Sequence, residues 1–436
     1  MSTNIVKPSI LPGFMELIPT EQILFNKMMD TIRENYEKFG FLPIDTPAIE
    51  KTEVLLAKGG GETEKQIYRF QKGSTDMSLR FDLTVPLARY VSQHYSDLNF
   101  PFRRYHIGKV YRGERNQRGR FREFYQCDID IIGNGKLDII NDAEIPAVIY
   151  STFKDLGFES FTIKINNRKV LKGFFHSLEI EDSTFVLRTI DKLDKIGIEN
   201  VKKELIEIGL SDDKIQKVLE FIDISGDNNK VLEELKALEI ENEIFKEGLD
   251  ELKTVTEYIG IFGVPQDNYA IDLTIARGLD YYTGTVYETF LNDYPEIGSV
   301  CSGGRYDNLA SHYTSQKLPG VGISIGLTRL FYQLNEAKII KAIDNSLTTV
   351  LIIPMEGYMD KGVEVGNRLR REGIYTQIYI ESGKMGKKFN YADKLNIPYT
   401  IVIGEEEAKN DVYSLRDMKT GEQESLSMDE VLNRLK

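Results

Sequence analysis

Residues 103–133, RRYHIGKVYRGERNQRGRFREFYQCDIDIIG, read as a strand, a short Arg-rich loop and a second strand. A strand sends alternate side chains to opposite faces, so from 120 onward Arg120, Arg122, Phe124, Gln126, Asp128 and Asp130 share one face. The other face carries Phe121, Tyr125, Cys127, Ile129 and Ile131, an ordinary packing surface interrupted only by Glu123. The first face predicts a substrate floor. Its cations, at the loop end, suit phosphates, and its carboxylates, further in, suit an amine or an imidazole. ATP together with an amino acid would fit. An amphipathic edge hairpin with a solvated Arg face would use the same residues. Between 103 and 122, however, eight Lys/Arg stand against one acidic residue, in a chain of net charge −13. Such a local reversal of sign favours a phosphate site.

The length of 436 residues allows two or three domains with sizeable cores. With 41% hydrophobic and 28% charged residues, the composition is that of a soluble globular protein. The opening MSTNIVKPSILPGF has no apolar core of signal-peptide length, and runs such as 350–353 are too short to span a bilayer. A cytoplasmic location with no membrane contact is expected. Cys127 and Cys301 have no paired spacing, which argues against a disulfide framework and a Cys-ligated metal. The acidic total charge restricts any RNA binding to local basic patches.

Arg112-Gly-Glu114, a short loop and then Arg120-Phe-Arg-Glu-Phe124 resemble motif 2 of the class II aminoacyl-tRNA synthetases. The longer string YRGERNQRGRFREFYQCD is similar to the version in the histidyl-tRNA synthetase family. Upstream, residues 21–39 have apolar positions at helical spacing, with Pro19-Thr20 as an N-cap and Gly40 as the stop. Followed by GFLPIDTP, this helix resembles motif 1, which builds the dimer interface in that family. KGGGETEK, 58–65, is a glycine-rich connection and not a Walker loop, since no Gly-Lys-Ser/Thr closes it. LRFDLTVPLAR, 79–89, predicts a strand with Asp82 and Thr84 on one face that enters a helix at Pro86. An acid and a hydroxyl two residues apart can hold an ammonium group, and the resemblance puts the α-amino group of histidine there.

From 166 to 261 dense, balanced charge accompanies helical periodicity, predicting an inserted helical module with no chemistry of its own. Alternation returns at 269–288, where Ile271, Leu273 and Ile275 form the apolar side. There RGLDYYTGTVYE closely resembles the motif peculiar to histidine-specific members. SGGRYD, 302–307, and GVGISIGLTR, 320–329, resemble motif 3, with glycines that let a strand and helix approach and set Arg329 at the helix start. Residues 336–348 read as a polar linker. Beyond them TTVLIIP, a helix over about 359–372, TQIYI, a helix near 385–395 and YTIVIG alternate as βαβαβ, similar to the anticodon-binding domain of class IIa synthetases.

The expected fold is therefore α+β: a class II catalytic domain, an antiparallel sheet with helices, split into 1–165 and 262–335. A helical insertion over 166–261, a linker over 336–348 and an α/β anticodon-binding-like domain over 349–436 complete it. The resemblance implies ATP-dependent activation of L-histidine and its transfer to the 3′ end of tRNA(His), by a homodimer using Mg²⁺. It assigns Arg112 to the α-phosphate, Glu114 to the adenine amine, Phe124 to stacking on the base, and Arg120 and Arg329 to the outer phosphates. Asp82, Thr84 and Gln126 would take the α-amino group, and Asp130 and Tyr282 the imidazole, with Tyr281, Tyr306 and Gly304 also at the histidine site. Arg277 would contact the carboxylate and α-phosphate. Arg115 and Gln117 are candidates for the tRNA acceptor stem, and Lys384, Lys387 and Lys388 for other RNA contacts. No protein motif for a metal is present. Asp stands at 82 and 130 where many bacterial members carry Glu. The rival reading is a catalytically inactive paralogue, such as the synthetase-like regulatory subunit of ATP phosphoribosyltransferase. Such proteins typically lack the C-terminal domain and have degraded motifs.

Overall fold

A computed structural model of the chain describes residues 6–57, 62–114, 119–180, 184–190, 196–275, 282–340 and 346–436. The chain falls into two compact units, Met1–Glu16 with Phe25–Ile340 and Leu17–Leu24 with Lys341–Lys436. The first helix, Pro19–Lys38, starts ahead of the predicted 21 because Pro19 is itself helical. Proline's fixed φ suits a first helical residue, where its missing N–H costs nothing. Within the first unit Phe25, Met28, Ile32 and Tyr36 of this helix are buried.

The strands of the first unit are β1 (Leu42–Pro43), β2 (Ile49–Lys51), β3 (Arg69–Lys72), β4 (Thr75–Leu79), β5 (Phe102–Tyr111), β6 (Glu123–Ile132), β7 (Phe161–Asn167), β8 (Tyr269–Ile271), β9 (Thr285–Leu291), β10 (Cys301–Tyr306) and β11 (Gly320–Ile325). Eight form one sheet in the order β1-β5-β6-β11-β10-β9-β7-β8, while β2, β4 and β3 form a small second sheet. In the large sheet β1–β5 and β7–β8 are parallel and the other pairings antiparallel. The α+β class expected from the sequence is the one adopted.

The register of the central strands builds the site, because residues paired across strands share a face. One row runs Arg104, Asp130, Gly322 and Gly304, and the next runs His106, Asp128, Ser324, Ser302 and Glu288. Gly322 leaves room for its neighbour, since a Cβ there would lie 2.3 Å from Asp130 Oδ1 and 2.2 Å from the Ile129 carbonyl. Gly304 does the same for Tyr282, whose ring would lie 3.0 Å from an added Cβ.

Between β7 and β8 the chain carries the helices Arg168–Ser177, Thr184–Ile190, Ile198–Glu207, Asp212–Asp223, Asn228–Ala237 and Glu243–Ile261. Their core includes Phe174 stacked on Phe221 at 3.9 Å. The predicted strand through Ile275 is shorter than its alternation implied. β8 ends at Ile271, and the Asp272 carboxylate then accepts from the Thr274 N–H in a tight turn.

In the second unit β12 (Val350–Pro354), the helix Met359–Arg371, β13 (Thr376–Ile378), the helix Met385–Lys394 and β14 (Tyr399–Ile403) alternate, with β12 parallel to both β13 and β14. β15 (Val412–Asp417) and β16 (Gln423–Ser427) add an antiparallel edge, followed by the helix Met428–Leu435. Every residue of β12 is buried, as a parallel strand covered on both faces requires. The edge pair escaped the sequence reading because β15 buries only Tyr413 and Leu415 and β16 buries no residue, which leaves a short signal.

Candidate active site

A cavity of about 460 Å³ opens over the second of these rows, where Asp128, Ser324, Ser302 and Glu288 line it. Arg112, Glu114, Arg120, Phe124 and Arg329 line it together with Asp82, Thr84, Gln126, Asp128, Tyr282 and Ser324. Arg112 donates from Nε to the Phe81 carbonyl at 3.0 Å, and its guanidinium lies 5.1 Å from the Phe124 ring centroid. Arg120 reaches Glu114 at 3.4 Å. Arg329, third residue of the helix Leu327–Glu336, donates to the Ile297 carbonyl at 3.0 Å. An arginine at a helix start and another beside an aromatic ring are suited to hold a nucleoside polyphosphate.

Three features differ from the expected floor. β6 begins only at Glu123, so strand alternation does not extend back to 120. Arg122 instead donates to the carbonyls of Glu114 and Pro12, while Phe121, assigned to the packing face, lines the cavity. Asp82 and Thr84 are not on a strand. Asp82 precedes the helix Thr84–Gln93 and accepts from the Val85 N–H at 3.0 Å, a bond to the helix start that a short acid can make. Lys388 is removed from the RNA contacts, because it is buried and spends its ammonium on the Pro354 carbonyl at 3.0 Å, beside the Tyr379 ring. Lys384 and Lys387 are exposed. Arg277, Tyr281, Arg115, Gln117 and the glycines of the 58–61 stretch lie outside the described residues.

Asp130 lies one step deeper than the cavity lining. It is paired with Arg104, a fully buried guanidinium, and accepts from the Tyr306 hydroxyl at 2.8 Å. Asp128 is 2% exposed and lines the cavity. Burial pushes its carboxyl up to about 7, against the pull of Arg104 and of a Ser324 hydrogen bond. Burial likewise pushes Asp130 up to about 6, opposed by Arg104 and Tyr306, and raises Asp82. Sequence reasoning missed Arg104 and Ser324. Ser324 had a signal: Gly320, Gly322 and Ser324 alternate with Val321, Ile323 and Ile325, so the hydroxyl had to share the glycine face. Arg104 had none, since an arginine beside Arg103 looks like any other surface cation.

These shifts have a stability consequence. Between the ordinary carboxylate value of 3.8 and about 7, the folded ligand-free protein keeps the Asp128 proton that the unfolded chain has lost. Its stability therefore falls as pH rises through that window, and above it the full cost of a buried carboxylate is present. Asp128→Asn should remove this contribution. Its thermal midpoint, compared with that of the unsubstituted protein, should gain more at about pH 8 than at about pH 5.

The sheet and the loops around it therefore bring Arg112, Arg120 and Arg329 into one cavity with the carboxylates of Asp82 and Asp128. Comparison with known proteins narrows this further. A family model described as histidyl-tRNA synthetase matches residues 13–330, and one described as anticodon binding domain matches 349–436. The chain is 68% identical to the histidine–tRNA ligase of Clostridium tetani, with all of both chains covered. The crystal structure of histidyl-tRNA synthetase from Nostoc superposes with a TM-score of 0.91 at 42% identity, covering 99% of this chain and 100% of that one. A protein from Bacillus halodurans, titled an ATP phosphoribosyltransferase regulatory subunit/histidyl-tRNA synthetase, shares the fold with a TM-score of 0.75 at 21% identity, covering 89% of this chain and 97% of that one. The chain belongs to the histidyl-tRNA synthetase family.

Proposed function

We infer that the chain is a histidine–tRNA ligase. The carboxylate of L-histidine attacks the α-phosphorus of ATP and displaces pyrophosphate. A hydroxyl at the 3′ end of tRNA(His) then attacks the carbonyl of the adenylate and releases AMP. The observation that carries this reading is the cavity itself, which joins arginines beside an aromatic ring to buried carboxylates within one space.

Arg112 bears on the α-phosphate, Arg120 and Arg329 on the outer phosphates, Glu114 on the adenine amine, and Phe124 on the face of the base. Asp82 and Gln126 accept from the α-ammonium group, with Thr84 on the same wall. Tyr282 faces the imidazole, with Asp130, expected beside it, one step behind the lining. Tyr306 holds Asp130, and Gly304 gives Tyr282 its place. A magnesium ion carried on nucleotide phosphates needs only one or two carboxylates, and Glu288 on the cavity wall has that chemistry. Bound there, the ion would neutralise phosphate charge.

The protein works in the cytoplasm as a homodimer. Among the described residues no helix is long and apolar enough to cross a membrane. Leu42 and Ile49, in the stretch that follows the motif 1 helix, are 61% and 48% exposed, as an interface to a second copy would require. The regulatory-subunit reading is disfavoured by the C-terminal domain and by intact motif 2 and RGLDYY residues. Amino-acid-dependent pyrophosphate exchange tests the assignment. Histidine alone should support it. Exchange with proline or threonine would point to another class IIa synthetase, and no exchange at all would point to the paralogue.

The C-terminal unit should serve the second step. Deleting 345–436 is expected to weaken aminoacylation sharply while leaving adenylate formation within about tenfold, because the phosphate and histidine groups all lie upstream. Equal loss of both steps would show that the unit supports the fold or the dimer instead.

A further inference from the structure

Three acceptor atoms of the cavity lining are buried without a hydrogen-bond partner among the described residues: Asp82 Oδ2, Gln126 Oε1 and Asp128 Oδ1. Buried polar atoms are nearly always paired, since leaving one unmade is costly, so three in one cavity point to a ligand that brings donors. An alkylammonium group brings three N–H donors and no acceptor. Two of the three acceptors belong to residues already placed at the α-amino group. The third has no assigned role.

Several contacts turn Asp128 towards the same ligand. It is the next residue after Gln126 on one face of β6, about 6–7 Å along the strand. Gln126 donates through Nε2 to the Ser324 hydroxyl at 2.8 Å, which leaves its carbonyl oxygen as the end available to a donor. Arg104 pairs with the Asp130 carboxylate and donates to the Asp128 main-chain carbonyl at 3.4 Å, so its charge pulls on the Asp128 carboxylate without an ion pair to it. His106 pairs with Asp128 across the strands, but burial, with Arg104 and Arg80 close by, lowers its pKa to about 3 and keeps it neutral. The Asp128 carboxylate thus makes no ion pair among the described residues.

We propose that Asp128 is a binding residue for the amino group of histidine, accepting the third N–H of the α-ammonium group and completing with Asp82 and Gln126 a three-acceptor cradle for it. The assignment rests on the reading of the cavity as a histidine site. It requires the amino acid to enter with its amino group protonated, and it separates histidine from imidazole acids that lack that group.

The test compares two ligands on the full-length protein by calorimetric titration: histidine, and its des-amino analogue, which keeps the imidazole and carboxylate. Loss of one charge-assisted hydrogen bond predicts that Asp128→Asn binds histidine about 10–100-fold more weakly. Its affinity for the des-amino analogue should stay within about twofold of that of the unsubstituted protein, and so should its affinity for ATP. Equal weakening of both histidine and the analogue would overturn the proposal by placing Asp128 at the ring or the carboxylate, and unchanged histidine binding would overturn it outright. Should Asp128→Asn also lose ATP binding, Asp128→Glu keeps the carboxylate and should retain most of the preference for histidine over the analogue. Loss of that preference in a variant that still binds ATP would also count against the proposal. Failure of the unsubstituted protein to bind histidine would remove both this assignment and the function on which it rests.

Discussion

Arg277→Ala is expected to slow histidine-dependent pyrophosphate exchange by about 10²–10³, with much smaller changes in ATP affinity. Arg277 lies outside the described residues, so the expectation rests on its place in RGLDYYTGTVYE and on the described residues either side of Arg277. Before it, Ile275 is buried and its carbonyl accepts from Asn166 at 3.0 Å; after it, Tyr282 lines the cavity. In adenylation negative charge builds up where the carboxylate meets the α-phosphorus. A fixed guanidinium aimed there acts more strongly on the transition state than on bound substrate. Lysine should substitute poorly, because a point charge does not reproduce a planar fork that spans carboxylate and phosphate. Transfer from adenylate made beforehand should suffer less, since that step involves no attack at phosphorus. A variant that forms adenylate at a near-normal rate, or whose only defect is a raised requirement for histidine, would refute this role.

The second large effect is on stability, at a pair remote from the phosphates. Arg305, next to Gly304 on β10, donates from Nε and Nη2 to the Asp142 carboxylate, at 3.0 and 2.6 Å. Asp142 also accepts from the Thr285 hydroxyl at 2.6 Å, and Arg305 gives further bonds to the carbonyls of Leu137 and Asp138. The Asp142 side chain is fully buried and that of Arg305 nearly so. Burial pushes the Asp142 carboxyl up, and the guanidinium opposes it. Arg305→Ala leaves that carboxylate with little compensation and should cost about 3–5 kcal/mol. Replacing both partners by apolar residues of similar volume should cost much less, because no uncompensated charge remains. With no tryptophan in the chain, unfolding is best followed by circular dichroism in denaturant. A single substitution that unfolds at the same midpoint as the unsubstituted protein would show that the pair contributes nothing. Since β10 also carries Tyr306, which holds Asp130, the single variant should also bind histidine less well.

Much of this protein was written in local sequence. Alternation from Glu123 to Ile132 marked one face of β6 as chemical and the other as packing. The glycines of 320–326 marked a strand that had to pass close to its neighbours, and the shift from period 2 to 3.6 marked the helical stretch between β7 and β8. These features are local because side-chain direction follows from backbone type, and backbone type from a few neighbouring residues. Local sequence failed where partners are distant. It could not show that Lys388 is tied to Pro354 or that Arg122 turns away towards Pro12. Nor could it show that Arg104, one of a pair of arginines, is buried against Asp130 while Arg103 pairs with Glu144 nearer the surface. The same holds for the contrast between Asp130, which is satisfied, and Asp128, which is not. Both are acids on one face of one strand, and only the register of β5 and β11 against β6 decides which meets a guanidinium and which meets Ser324 and the cavity. The sequence determined which chemical groups the site contains. The pairing of strands far apart in the chain decided which of those groups are spent inside the protein and which are left to meet a substrate, because a buried charge is set by the partners brought to it through space.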